Sequence, residues 1–224
     1  MLRSILGLLA IGVVLVYSKK CVDGKHNVIK VSDTSNFKGK VRVKMEIGTY
    51  DEDKKPICAS GRPQITIPGY LKVLKGKYKI YEKVKGTKRK PLTLAFTVDK
   101  DSVTVGTLCD KGVTKKDDLV PRELCNLDLC IFETLCDFFS TKTNGAVDVV
   151  PLLGQEFFHL RRSGFADLIT GDWRVSVDLM HGEEKLAGLR LESYNDPWVK
   201  VEEQEGTDAE EDDEGEETEK HDEL

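Results

Sequence analysis

Along much of the chain, apolar and polar side chains alternate with a period of two. Val41, Val43, Met45 and Ile47 are interleaved with Arg42, Lys44 and Glu46, and Tyr78 and Ile80 with Lys77 and Lys79. Leu92, Leu94, Phe96 and Val98 form another stripe, with Val103 and Val105 expected to continue after a turn at Asp101 and Ser102. Trp173, Val175, Val177 and Leu179 alternate with Arg174, Ser176 and Asp178, and Leu189 and Leu191 follow a turn at 181–184. Successive side chains of a strand point to opposite faces, so each run predicts a strand with one dry and one wet side. One stretch breaks the rule. From Cys130 to Phe139 the apolar residues Ile131, Leu135 and Phe138 recur at i, i+4 and i+7, which predicts a short amphipathic helix. Many short strands and one helix predict an all-β fold. Its expected form is a two-sheet antiparallel β-sandwich or β-cup with one short helix at the rim. Residues 110–129 read as a long, charged, irregular connection, the kind that is usually functional or mobile.

The two ends of the chain differ from this body. Residues 1–18 combine Arg3, an apolar run from Ile5 to Val16 and a small residue at Ser18, which predicts a signal peptide. The run is shorter than the roughly 17–25 residues that cross a bilayer. No later run is long enough, so the mature chain is expected to have no transmembrane segment. His221, Asp222, Glu223 and Leu224 form a C-terminal retrieval signal, which implies a retrieval receptor as partner and the endoplasmic reticulum lumen as location. Residues 202–224 hold 14 acidic side chains and one lysine, which predicts a disordered tail. The plain reading of this tail is a solvated spacer. The functional reading is weak Ca²⁺ binding by loosely spaced carboxylates; no other cofactor and no metal site is expected. Residues 19–201 remain as one domain.

Charge is divided as unevenly as hydropathy. The body carries 32 basic and 25 acidic side chains, a net +7, against −13 for the tail. Lysines crowd residues 38–90. A nucleic-acid partner is excluded by the expected compartment, which leaves anionic head groups, an acidic lumenal protein or the chain's own tail. The six cysteines, Cys21, Cys58, Cys109, Cys125, Cys130 and Cys136, all follow the expected cleavage site. An even number in an oxidising compartment predicts disulfides, and the sequence leaves the pairing open. No Cys-x-x-Cys motif points to zinc or redox chemistry.

Several motifs in their order resemble the ganglioside GM2-activator branch of the ML lipid-recognition family. They are the opening Cys21-Val22-Asp23-Gly24-Lys25, Ile67-Pro68-Gly69, and Pro91-Leu92-Thr93-Leu94 leading to Cys109. They continue with Cys130-x-Phe132-Glu133-x-x-Cys136-Asp137, and with Thr170-Gly171-Asp172-Trp173-Arg174 running into Lys185-Leu186-x-Gly188. The resemblance covers most of residues 21–194. It implies a splayed β-cup whose dry strand faces, including Leu94, Phe96, Val175 and Val177, hold the acyl chains of a phospholipid or glycolipid. Phe132, Leu135, Phe138 and Phe139 would sit at the rim, with Phe165 and Trp173 nearby. On that reading Phe138→Asp weakens lipid uptake and spares folding. The resemblance pairs Cys109 with Cys130, leaving Cys125 for Cys136. The family's bond from its first cysteine to its last strand has no counterpart here, and Cys21 is expected to join Cys58 instead.

A lysine-rich mouth, drawn from Lys72, Lys75, Lys77, Lys79, Lys83, Lys85, Lys88 and Lys90, would favour an anionic head group. No catalysis is expected. A Gly-x-Ser-x-Gly elbow and a Gly-rich phosphate loop are both missing from the sequence. His159 reads as a packed or surface residue, and Glu133 with Asp137 as solvated helix carboxylates. The leading expectation is a lipid-binding or lipid-transfer protein of the endoplasmic reticulum lumen. The alternative is a non-enzymatic interaction protein, a folding cofactor or subunit of a larger complex, whose sandwich core is solid.

Overall fold

The computed structural model of the chain describes residues 20–35, 39–131, 133–153, 157–161 and 169–204. The expected signal peptide, the tail beyond Gln204 with its retrieval signal and proposed Ca²⁺ carboxylates, Phe132 and Phe165 lie outside these residues, as does the side chain of Leu135.

The strands in chain order are β1 (Val28–Asp33), β2 (Val41–Tyr50), β3 (Cys58–Ala59), β4 (Arg62–Ile67), β5 (Gly69–Ile80), β6 (Leu92–Lys100), β7 (Thr107–Asp110) and β8 (Val113–Thr114). After helix α1 (Arg122–Cys125) come β9 (Asn126–Asp128), a 3-10 turn (Leu129–Ile131) and helix α2 (Glu133–Phe138). Then follow β10 (Val147–Asp148), helix α3 (Val150–Leu153), β11 (Phe158–Leu160), β12 (Gly171–His181), β13 (Glu184–Glu192) and β14 (Trp198–Glu203).

The fold is all-β and disulfide-stapled, and its ladders join into one 14-stranded sheet. The main path runs β5-β2-β1-β13-β12, and β6 continues it from the other edge of β12. Strand β12 organises the assembly. One edge pairs with β6 from Trp173 to His181, while the other is shared between β13 and β14. Among the described residues all pairings are antiparallel except β14 with β4, which is parallel. The sheet curls far enough for its distant strands to meet: Val41 of β2 and Ile80 of β5 share one buried cluster with Leu92 of β6 and Leu179 of β12. Two faces therefore oppose each other as in a sandwich, but hydrogen bonding is continuous through β1 and β13.

Two expectations need correction. Val103 and Val105 do not extend a strand: they lie in the turn between β6 and β7, and Val103 is fully exposed. Two β-branched residues within a tight turn carry the strand signal without a partner to pair with. The connection 110–129 is also less irregular than its composition implies. It contains β8, α1 and β9, and a Cys109–Cys125 disulfide draws its end back to β7.

Candidate functional site

The inner face of the curled sheet is unevenly filled. One end is dry: Leu92 and Leu186 are fully buried, and Val41, Ile80 and Ala187 nearly so. Helix α2 closes this end. Phe138 stands 4.8 Å from the Tyr78 ring and 5.1 Å from Phe139, and both phenylalanines pack on the buried cluster. The backbone carbonyl of Phe139 accepts a hydrogen bond from the Val84 amide, which fixes the loop after β5 against the helix. The Cys130–Cys136 disulfide lies over Gly86, where an added Cβ would come within 2.5 Å of one sulfur. At the other end of β2 and β12, Ile29, Thr49, Thr66 and Val199 are buried.

Between these ends, the apolar side chains of the inner face are half-buried. Phe96 faces Val177, which also faces Leu189; Val98 faces Val175; Leu191 faces Val31, which faces Met45 and so leads to Gly76. Phe96, Val98, Val175, Val177, Leu189, Leu191 and Met45 all keep part of their surface accessible, and only Val31 is buried. A solid core would seal such a row, because interiors pack at crystal-like density. The row is thus less completely buried than the two ends that flank it.

The outer face of the same strands is cationic. A recess of about 550 Å³ lies over β1, β2, β5 and β10, lined by the side chains of Lys30, Lys44, Glu46, Lys75, Lys77 and Asp148 among others. Lys75 is paired with Glu46 at 2.9 Å. Beside the recess, Glu192 accepts the Ser32 hydroxyl and the Arg190 guanidinium, which hold its carboxyl below the usual carboxylate range. Among the described residues, no group of three or more His, Cys, Asp or Glu side chains is placed to hold a metal ion, and no helix is long and apolar enough to cross a membrane.

The residues singled out in the sequence are thus distributed over the fold. Leu94, Phe96, Val175 and Val177 share the inner face, with Leu94 leaning on the dry cluster. Trp173 is on that face too, half-buried, its indole NH donating to the Ile169 carbonyl and its ring 5.5 Å from the Lys100 ammonium. Among the described residues, Trp173 does not join Phe138 and Phe139. Trp173 lies six residues along β12 from Leu179, a separation of about 20 Å at the usual strand rise. Phe138 and Phe139 serve as the plug of the opposite end. Ile131 is 65% exposed and belongs to the turn before the helix, so it is not part of an apolar helix face. All six cysteines are bonded, Cys21 to Cys58 as expected. The other two pairs differ from the family's pattern: Cys109 joins Cys125 and Cys130 joins Cys136. Helix α1 brings Cys125 to β7, and one turn of helix is enough to bring Cys136 to Cys130, so each cysteine finds its sequence neighbour.

The predicted lysine mouth divides as well. Lys75, Lys77 and Lys79 lie on β5, whereas Lys83, Lys85, Lys88 and Lys90 are exposed on the loop beside α2. Lys72 stands over the Phe157 ring, and His159 stacks on Tyr70 at 4.7 Å. Lys30 and Lys44 escaped sequence reasoning as recess residues, because only strand register sets them beside Lys75 and Lys77. No protein-family model matches this chain, and no curated protein matches it significantly.

Proposed function

We propose that the protein is a non-catalytic lipid-binding or lipid-transfer accessory protein of the endoplasmic reticulum lumen, holding acyl chains against the half-buried band of its inner face. The observation that carries this reading is that band, from Phe96 and Val98 through Val175 and Val177 to Leu191 and Met45, lying between two dry ends. Each CH₂ group moved from water onto it contributes about 0.8 kcal/mol. The three disulfides suit an oxidising compartment, and the C-terminal His221-Asp222-Glu223-Leu224 would return the protein to the lumen through its receptor.

The test is native mass spectrometry of the mature chain purified from the lumen, followed by lipid extraction and by uptake from labelled phosphatidylcholine vesicles. A phospholipid or glycolipid at near one-to-one stoichiometry is the expected result. A bare protein mass with no uptake would instead favour a lumenal interaction protein, a reading that draws on the close packing of Phe138 and Phe139 into the core.

A further inference from the structure

Three successive cross-strand pairs on the outer face of β2 and β5 treat their charges differently. Glu46 faces Lys75, and the two form an ion pair. Arg42 faces Lys79, a like-charge pair, and both cations lie over the Tyr81 ring, at 5.6 and 4.6 Å. The aromatic face offsets part of their repulsion. Between these rows, Lys44 faces Lys77. Directly opposed side chains in an antiparallel ladder approach within about 5 Å at Cβ, and like charges there are destabilising. Among the described residues, neither lysine has an ion pair or an aromatic face to relieve it. Asp148 is the cross-strand partner of Lys77 on the other side, but its carboxylate instead accepts the Val150 amide. Lys30 faces Glu46, whose carboxylate is already taken by Lys75. Other lysines of the molecule are matched, Lys40 to Glu82 and Glu184, Lys185 to Asp178 and Lys200 to Glu202.

These three lysines line the recess of about 550 Å³. That volume falls within the roughly 300–1,000 Å³ of small-molecule sites, and it exceeds what a bare inorganic anion needs. We propose that the recess binds a phosphate-bearing ligand, a lipid head group or a soluble phosphorylated small molecule, through Lys30, Lys44 and Lys77. Lysine meets phosphate as a point charge with three donors, so ligands that differ beyond the phosphate can share the site. The proposal does not depend on the apolar band, which faces the other side of the sheet.

The test titrates the full mature chain with inorganic phosphate and with myo-inositol 1-phosphate, and measures co-sedimentation with phosphatidylcholine vesicles with and without phosphatidic acid. Binding by inositol phosphate that is stronger than by inorganic phosphate, and that weakens as salt is added, identifies a soluble ligand. Binding only to vesicles with phosphatidic acid identifies a head group. Either result should fall about tenfold or more in the Lys44→Ala/Lys77→Ala chain, and should persist in Lys44→Arg/Lys77→Arg and in a Lys85→Ala/Lys88→Ala control. Unchanged thermal melting of these surface variants shows that the fold is intact. No binding of any probe, or equal weakening in the control pair, overturns the proposal. Because phosphatidylcholine uptake is scored separately, loss of that uptake alone would overturn the lipid-carrier reading and leave the phosphate site standing.

Discussion

The dry end of the inner face and the band beside it are built from the same strands and the same alternating pattern, yet they are filled differently. At the dry end Leu92, Leu179 and Ala187 meet Val41 and Ile80, and α2 supplies Phe138 and Phe139 from outside the sheet. Further along β12, Val177 and Val175 have equally apolar neighbours but, among the described residues, no plug of this kind. Alternation therefore decides which face is dry, while the element laid across that face decides whether it is full. A short helix held by a local disulfide is what separates the sealed end from the half-buried band here.

Substitutions can break or sharpen this contrast. The largest effect is expected from Leu92→Ala, where a fully buried side chain leaves a void in a capped region; a loss of about 4 kcal/mol is expected in urea unfolding. Phe138→Asp should follow, at about 3 kcal/mol, because it places a carboxylate against the cluster and Tyr78. Full stability in that variant would return Phe138 to the exposed rim implied by the sequence. Replacing Cys130 and Cys136 together by serine should cost about 2 kcal/mol, given the short loop they close, with near-ultraviolet dichroism reporting loosened aromatics around α2. Val177→Ala should cost only about 1 kcal/mol, since the side chain is half-exposed. It should nevertheless reduce phosphatidylcholine uptake, whereas a calorimetric loss as large as that of Leu92→Ala would show the band to be sealed core. The smallest effect concerns acid. Glu192 has its carboxyl lowered by Ser32 and Arg190, so its contribution is present above the ordinary carboxylate range and is lost as pH falls through the lowered value. Glu192→Gln should be a few tenths of a kcal/mol less stable at neutral pH and should show a correspondingly shallower decline on acidification.

Much of this architecture was legible in the residues. The stripes of β2, β6, β12 and β13 stand where alternation puts them, because each has one buried face to enforce the period. Helix α2 is legible from the spacing of Leu135 and Phe138, but Ile131 belongs to the 3-10 turn before it, since a helix start is set by backbone turns that apolar spacing does not encode. The disulfides near α2 could not be obtained from a family pattern. Their partners depend on α1 and the 3-10 turn, two elements of four and three residues with almost no sequence signal. The cationic recess was hidden for a related reason. Lys44 and Lys77 are 33 residues apart in the chain, and they become neighbours only through the β2–β5 register, which shifts at a bulge between Glu46 and Ile47.

The three disulfides are also strictly sequential, spanning 37, 16 and 6 residues with no loop crossing another. In a chain oxidised from its N-terminus as it emerges, each second cysteine meets its native partner as the nearest unpaired thiol already exposed. Vectorial oxidation, bond by bond from the N-terminus, then arrives at the native set without passing through a scrambled one. The protein's demand on isomerase activity should accordingly be low: pulse-labelled chains trapped with alkylating agent should show the Cys21–Cys58 bond before Cys109 has been synthesised.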